Sequence, residues 1–150
     1  MMTVYTFPNT RGTRITWLME ELQQDYQLKL VDFSQGANRS PEFLAVNPAG
    51  KVPAITDGEL LMTESGAIIT YLADKYSAGG LVPVSGTALR GRYEQWCYFA
   101  VCELEQGLWS MGKHKFALPK PQRIVAMQAT AAWEFQQALA LLSAGLAESD

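Results

Sequence analysis

The sequence predicts an α/β half of βαβ-α-ββα order followed by an all-α half that is incomplete. Three observations carry that prediction. Over the first 77 residues the apolar pattern switches between period 2 and period 3.6 in that order. The stretch Ser77 to Gly86 then holds three Gly and one Pro. Beyond it the pattern is helical only. The division is therefore residues 1–77, a linker at 78–86, and a partial helical domain at 87–150.

Thr3 to Phe7 alternates and is β-branched and aromatic, which reads as a strand stopped by Pro8-Asn9. Ile15, Leu18, Met19 and Leu22 fall at i, i+3, i+4 and i+7, the apolar stripe of a helix from about Thr13 to Asp25. Leu28 to Phe33 reads as a second strand, closing a right-handed βαβ unit with parallel strands. Ser40-Pro41 supplies an N-cap and an N1 proline for a short helix ended by Asn47-Pro48-Ala49-Gly50. Lys51 to Thr56 and Glu59 to Met62, separated by Asp57-Gly58, predict an antiparallel hairpin. Glu64-Ser65-Gly66 opens a helix whose Ile68, Ile69, Leu72 and Tyr76 face a sheet.

After the linker, Leu89, Tyr93, Trp96, Ala100, Leu104 and Leu108 predict one long helix to about Lys115, broken by Pro119-Lys120-Pro121. A second helix carries Val125, Ala132, Phe135, Leu139 and Leu142 at near-heptad spacing. Two helices alone are an unfinished bundle, so part of that stripe is expected on open surface or against another chain.

The 150 residues hold 12 Lys+Arg against 15 Asp+Glu, a net charge of −3, with 48% apolar residues. At this length a chain buries roughly 68–70% of its unfolded surface, enough for a core without metal or disulfide staples. No basic run suits nucleic acid, and no apolar run suits a membrane span or a signal peptide, so the cytoplasm is the default. Cys97 and Cys102 lie about 140° apart around a helix axis and read as two reduced core thiols. A single histidine, His114, gives poor support to a zinc site or a Ser/His/Asp triad, and is expected exposed near a helix end.

Glu64-Ser65 carries an argument from residue chemistry alone. The N-terminus of a helix offers N–H groups and a positive dipole end, so Ser65 is a natural seat for a carboxylate, and Glu64 beside it can hold an ammonium. The pair suits a zwitterionic amino-acid head; a plain cap with a solvated glutamate is the alternative. Val52-Pro53 is open between a cis bond and a proline that starts an edge strand.

Four strings resemble the glutathione S-transferase family in order and spacing: Phe7-Pro8-Asn9-Thr10-Arg11-Gly12, Asn47 to Ile55, Glu64-Ser65, and the helix Gly66 to Leu72. The resemblance runs from Thr3 to about Ala117, and it implies a thioredoxin-like N-terminal domain. It further implies glutathione as co-substrate, with no metal, and a homodimer. Glu64 and Ser65 would hold the γ-glutamyl group. A cis Val52-Pro53 would turn the Val52 backbone toward the cysteinyl part as in strand addition, and Lys51 would meet the glycyl carboxylate. Phe7 stands where tyrosine-type members carry their catalytic phenol. Thr10 falls where serine-type members carry their hydroxyl, so the resemblance implies Thr10 as the group that stabilises the thiolate. Arg11 would add positive charge, and Asn9 is a rival donor.

The resulting expectation is an enzyme that conjugates glutathione to a small hydrophobic electrophile. The alternatives are a non-catalytic glutathione-binding protein of the same fold and a glutathione-dependent disulfide reductase, whose attacking thiol belongs to the ligand.

Overall fold

A computed structural model describes residues 1–78 and 80–147, which fall into two compact units, Met1–Arg90 and a second from Gly91 onward. In the first unit, β1 (Met2–Thr6), α1 (Thr13–Glu21), β2 (Tyr26–Leu30), α2 (Pro41–Val46), β3 (Ala54–Asp57), β4 (Leu60–Thr63) and α3 (Ser65–Tyr76) follow the predicted order. The sheet runs β2-β1-β3-β4, with β1 and β2 parallel and the other two pairs antiparallel. This is the thioredoxin-like arrangement that the βαβ-α-ββα reading anticipated.

Val4 and Ile55 of the two central strands, Ile15 and Met19 of α1, and Ile68 and Leu72 of α3 are fully shielded from solvent and form one cluster. The helical period of α1 and α3 thus meets the alternating face of β1 and β3, the condition for a two-layer core. The predicted Ser40 cap forms: its Oγ accepts the Phe43 N–H at 3.2 Å, with Pro41 behind it at N1.

Several boundaries move for local reasons. β2 runs from Tyr26 to Leu30 rather than from Leu28 to Phe33, because Asp32 Oδ1 accepts the Ser34 N–H at 2.8 Å and starts a 3₁₀ turn. α1 stops at Glu21, since Gln23 takes a left-handed φ of 51°. The hairpin loop is Gly58-Glu59 rather than Asp57-Gly58: Asp57 pairs with Leu60, and the positive φ falls on Gly58.

Asp57 is instead a strut. Its carboxylate accepts the Tyr71 hydroxyl at 2.7 Å and pairs with the Lys75 ammonium, tying the hairpin to the last turns of α3. The Lys75 bond, then the Tyr71 bond, hold the Asp57 carboxyl below the usual carboxylate range. A carboxyl with a depressed folded pKa stabilises the fold above its unfolded value, near about 3.9, and loses that contribution as pH falls through the folded value. Asp57→Asn should therefore destabilise the protein at neutral pH. The gap to the unsubstituted chain should narrow as pH falls below about 4 in denaturant titrations.

The second unit begins at Gly91, within α4 (Ala88–Phe99), and Arg90 is the last residue of the first unit. Its guanidinium grips Asp74 of α3 through two bonds of 2.8 and 2.7 Å and also donates to the Pro83 carbonyl. The helical path continues through a π-helical turn (Ala100–Leu104), α5 (Glu105–Gly112), a second π-helical turn (Lys113–Ala117) and α6 (Met127–Ala147).

Three expectations are corrected in this unit. Cys102 lies within the first π turn, which shifts the register, and is exposed; Cys97, on α4 ahead of that turn, is half-buried, and neither is a core thiol. The buried residues of α5 are Gly107 and Ser110, and Leu108 is exposed. On α6 they are Ala131 and Ala138 rather than Ala132. Small residues are needed here because the helices nearly touch: a Cβ on Gly107 would sit 2.9 Å from the Ala131 carbonyl oxygen. The apolar stripe is only partly covered, with Val125 81% exposed and Phe135, Leu139 and Leu142 half-buried.

His114 is half-buried rather than exposed, and its Nδ1 accepts the Ile124 N–H at 3.1 Å. Arg123 instead serves the helix end, donating to the carbonyls of Lys115, Phe116 and Leu118. Among the described residues no helix is long and apolar enough to cross a membrane.

Candidate functional site

Strand register gathers the predicted residues at one edge of the sheet. Tyr5 near the end of β1 lies opposite Ala54, the first residue of β3, and Ala54 lies opposite Thr63, the last residue of β4. The segments just outside this row are therefore neighbours. They are the β1–α1 loop with Asn9, Thr10 and Arg11, the Lys51-Val52-Pro53 approach to β3, and Glu64-Ser65 at the start of α3.

In the β1–α1 loop, the Thr10 hydroxyl donates to the Phe7 carbonyl at 2.6 Å, and its oxygen accepts the Gly12 N–H at 3.2 Å. Both bonds stay within the loop, so the hydroxyl holds the turn that delivers the chain into α1. Asn9 precedes it, exposed, at φ 59°, a left-handed conformation that asparagine tolerates better than most residues. Arg11 is half-buried beside them. Phe7 packs its ring edge-on against Phe33 at 5.6 Å. Removing the Thr10 hydroxyl should lower unfolding stability by about 1 kcal/mol, and Thr10→Ser should restore it; chemical denaturation measures both.

The approach to β3 is braced from α2. Asn47 Nδ2 donates to the Lys51 carbonyl at 2.7 Å, its Oδ1 accepts the Ala49 N–H, and Asn38 donates to the Gly50 carbonyl at 3.1 Å. Gly50 has φ 64°, and a Cβ there would meet the Asn38 carbonyl oxygen at 2.7 Å. The Val52–Pro53 bond is cis. Pro53 is buried, Val52 half-buried and Lys51 exposed, so this segment turns from core to solvent within three residues.

Glu64 is the N-cap of α3, exposed, at φ 66° and ψ 108°. No L-residue relaxes into that region readily, and backbone held there is found where a site over-determines it. The Ser65 hydroxyl does not cap the helix. Ser65 is 6% exposed, and its Oγ accepts from Arg14 Nη1 of α1 at 3.1 Å. Sequence reasoning gave Arg14 no role at the site; it is the second residue of α1, and only the fold brings it to a residue 51 positions away. Chemically, the edge offers an exposed carboxylate, a buried hydroxyl and a helix N-terminus on one side. The β1–α1 loop and Lys51 supply cationic groups on the other.

Residues 1–74 match the family described as "Glutathione S-transferase, N-terminal domain". Over 99% of its length the chain superposes, with a TM-score of 0.86 and 30% identity, on 69% of glutathione transferase URE2P6 from Phanerochaete chrysosporium, solved in complex with oxidized glutathione. The chain belongs to the glutathione S-transferase family. Among curated relatives it is 38% identical to the disulfide-bond oxidoreductase YfcG of Escherichia coli (strain K12), over 83% of this chain and 59% of that protein. It is 37% identical to glutathione S-transferase 3 of Zea mays, over 55% of this chain and 37% of that protein. The chain thus spans from just over a third to about three fifths of the length of these two curated relatives. Three of the four family strings read in the sequence reach the edge that the sheet register brings together, and the fourth lies within α3. Arg14 adds a side chain that links α1 to the start of α3.

Proposed function

We propose that this glutathione S-transferase family chain binds glutathione along the sheet edge and uses the bound thiol for thiol–disulfide exchange. In this reading Glu64 takes the γ-glutamyl ammonium, and Ser65 with the first turn of α3 takes its carboxylate. The Val52 backbone lies along the cysteinyl residue, and Lys51 meets the glycyl carboxylate. The residues fit the group: Glu64 presents its carboxylate to solvent on a left-handed backbone beside a buried serine at the helix start. When bound, glutathione supplies the attacking sulfur, which bonds to one sulfur of a disulfide while the other departs as a thiolate and takes a proton; a second glutathione completes the reduction.

The observation that carries the choice of reaction is the state of Thr10. Its one proton is committed to the Phe7 carbonyl, and the tyrosine position holds Phe7, so the loop does not offer a hydroxyl aimed outward. Exchange tolerates this better than conjugation, because an unactivated thiolate keeps its full intrinsic nucleophilicity and the rate of exchange is also set by the thiolate that leaves the disulfide. The similarity to YfcG, named a disulfide-bond oxidoreductase, supports the same choice.

Conjugation to a small hydrophobic electrophile is the second reading, favoured by the position of Thr10 just ahead of α1, and it requires the hydroxyl to turn from Phe7 to the thiolate. Hydroxyethyl disulfide and a general aryl halide, assayed side by side with glutathione, separate the two. Turnover of the disulfide well above that of the halide supports exchange; the reverse order establishes conjugation. No turnover of either despite glutathione binding would leave a non-catalytic binding protein. Thr10→Ala should leave the thiol pKa of bound glutathione nearly unchanged under exchange, and raise it by about one to two units under conjugation. Thiolate absorbance at saturating ligand reads it.

A further inference from the structure

Arg14 donates to Ser65, and that direction has a chemical consequence. A guanidinium has only donors, whereas a serine hydroxyl has one proton and two lone pairs. In the 3.1 Å bond from Arg14 Nη1, Ser65 Oγ must therefore be the acceptor, and its own proton is left to donate to something else. Ser65 is 6% exposed and is the first residue of α3, where backbone N–H groups and the positive end of the dipole already favour an anion. A guanidinium on the acceptor side of the hydroxyl also polarises the O–H bond and brings a full positive charge within one side chain of any carboxylate seated there.

We infer that Arg14 is a positioning residue for the carboxylate half of the ligand's amino-acid head: it orients the Ser65 hydroxyl as a donor and supplies the balancing charge without replacing Ser65 as the contact. This rests on the glutathione-binding reading and extends it to a residue outside the family strings. An ordinary packing bond between two helices would not discriminate among ligands. An orienting bond would.

Calorimetry on the full chain separates these roles with two probes: glutathione, and the analogue whose γ-glutamyl α-carboxylate is replaced by hydrogen. Arg14→Ala should weaken glutathione binding about tenfold and leave the analogue's affinity within about twofold. In a Ser65→Ala background the same substitution should cost less than half as many fold, because the hydroxyl it orients is gone. Equal loss for both probes would overturn the assignment by showing that Arg14 merely holds the two helices together. Arg14→Met keeps the aliphatic stem and removes the donors, so it repeats the comparison if the alanine variant does not fold. Failure of both variants to fold would also overturn the assignment. The binding reading itself is tested separately, by whether the unsubstituted chain binds glutathione, and absence of that binding overturns both.

Discussion

Gly12→Ala is expected to destabilise the protein by up to about 3 kcal/mol, the upper range for overpacking a filled site. Gly12 is buried where the β1–α1 loop enters α1. An added methyl would overlap the Thr6 hydroxyl and lie 2.6 Å from Thr6 Cβ, with Thr10 Oγ1 at 3.2 Å. A flexible side chain could swing aside, but Thr6 Cβ is fixed by β1, which is paired on both edges. Relief can come only from moving the loop, and that would also displace Thr10 and Asn9. The urea midpoint should fall with an unchanged slope, and glutathione affinity should fall with it. Thr6→Ala in the same chain should return only part of the loss, since its Cβ remains. An unshifted midpoint would mean that the loop does not approach β1 as described.

The second large effect is at Glu64. If Glu64 holds the ligand ammonium as proposed, replacing it with alanine removes a charge-assisted bond, and glutathione binding should weaken by roughly 1.5–3 kcal/mol, tenfold or more. Stability should respond differently. Because Glu64 holds φ at 66°, Glu64→Gly should relax the backbone and match or exceed the parent in thermal stability, while losing affinity as the alanine variant does. Parent-level stability with lost affinity in Glu64→Gly would assign the side chain to binding rather than folding. An unchanged dissociation constant in Glu64→Ala would place the ammonium elsewhere.

Much of the first unit was legible because its signals are local. The period-3.6 stripes of α1 and α3, the Ser40-Pro41 helix start and the glycine of the hairpin all act within a few residues of themselves. The edge of the sheet was legible through strings that match a family in order and spacing. The structure then supplied the reason, since the register Tyr5–Ala54–Thr63 makes neighbours of three loops distant in sequence.

What escaped was long-range or a competition between local partners. Arg14 meets Ser65 only after β3, β4 and α3 are in place. Thr10 could donate to a ligand or to its own loop, and composition cannot say which; the Phe7 carbonyl three residues back takes the proton. In the helical unit, apolar periodicity pointed to Leu108 and Ala132, whereas the close approach of α5 and α6 selects by size and buries Gly107, Ser110, Ala131 and Ala138. The pair of small residues Gly107 and Ser110, three apart, was the available clue. The π turns left no clue that periodicity alone could read.

In the proposed reading glutathione lies along one edge of the sheet, from the start of α3 to the segment before β3. Backbone amide shifts of the isotopically labelled chain, followed by NMR during titration with reduced glutathione, test it most directly. The predicted result is a saturable set of shifts at Val52, Ser65, Gly66 and the Asn9–Gly12 turn, with Asp57, Gly58 and Glu59 at the far end of the hairpin unmoved. Shifts confined to the hairpin tip or to α5 and α6, or no shifts at millimolar glutathione, would contradict it.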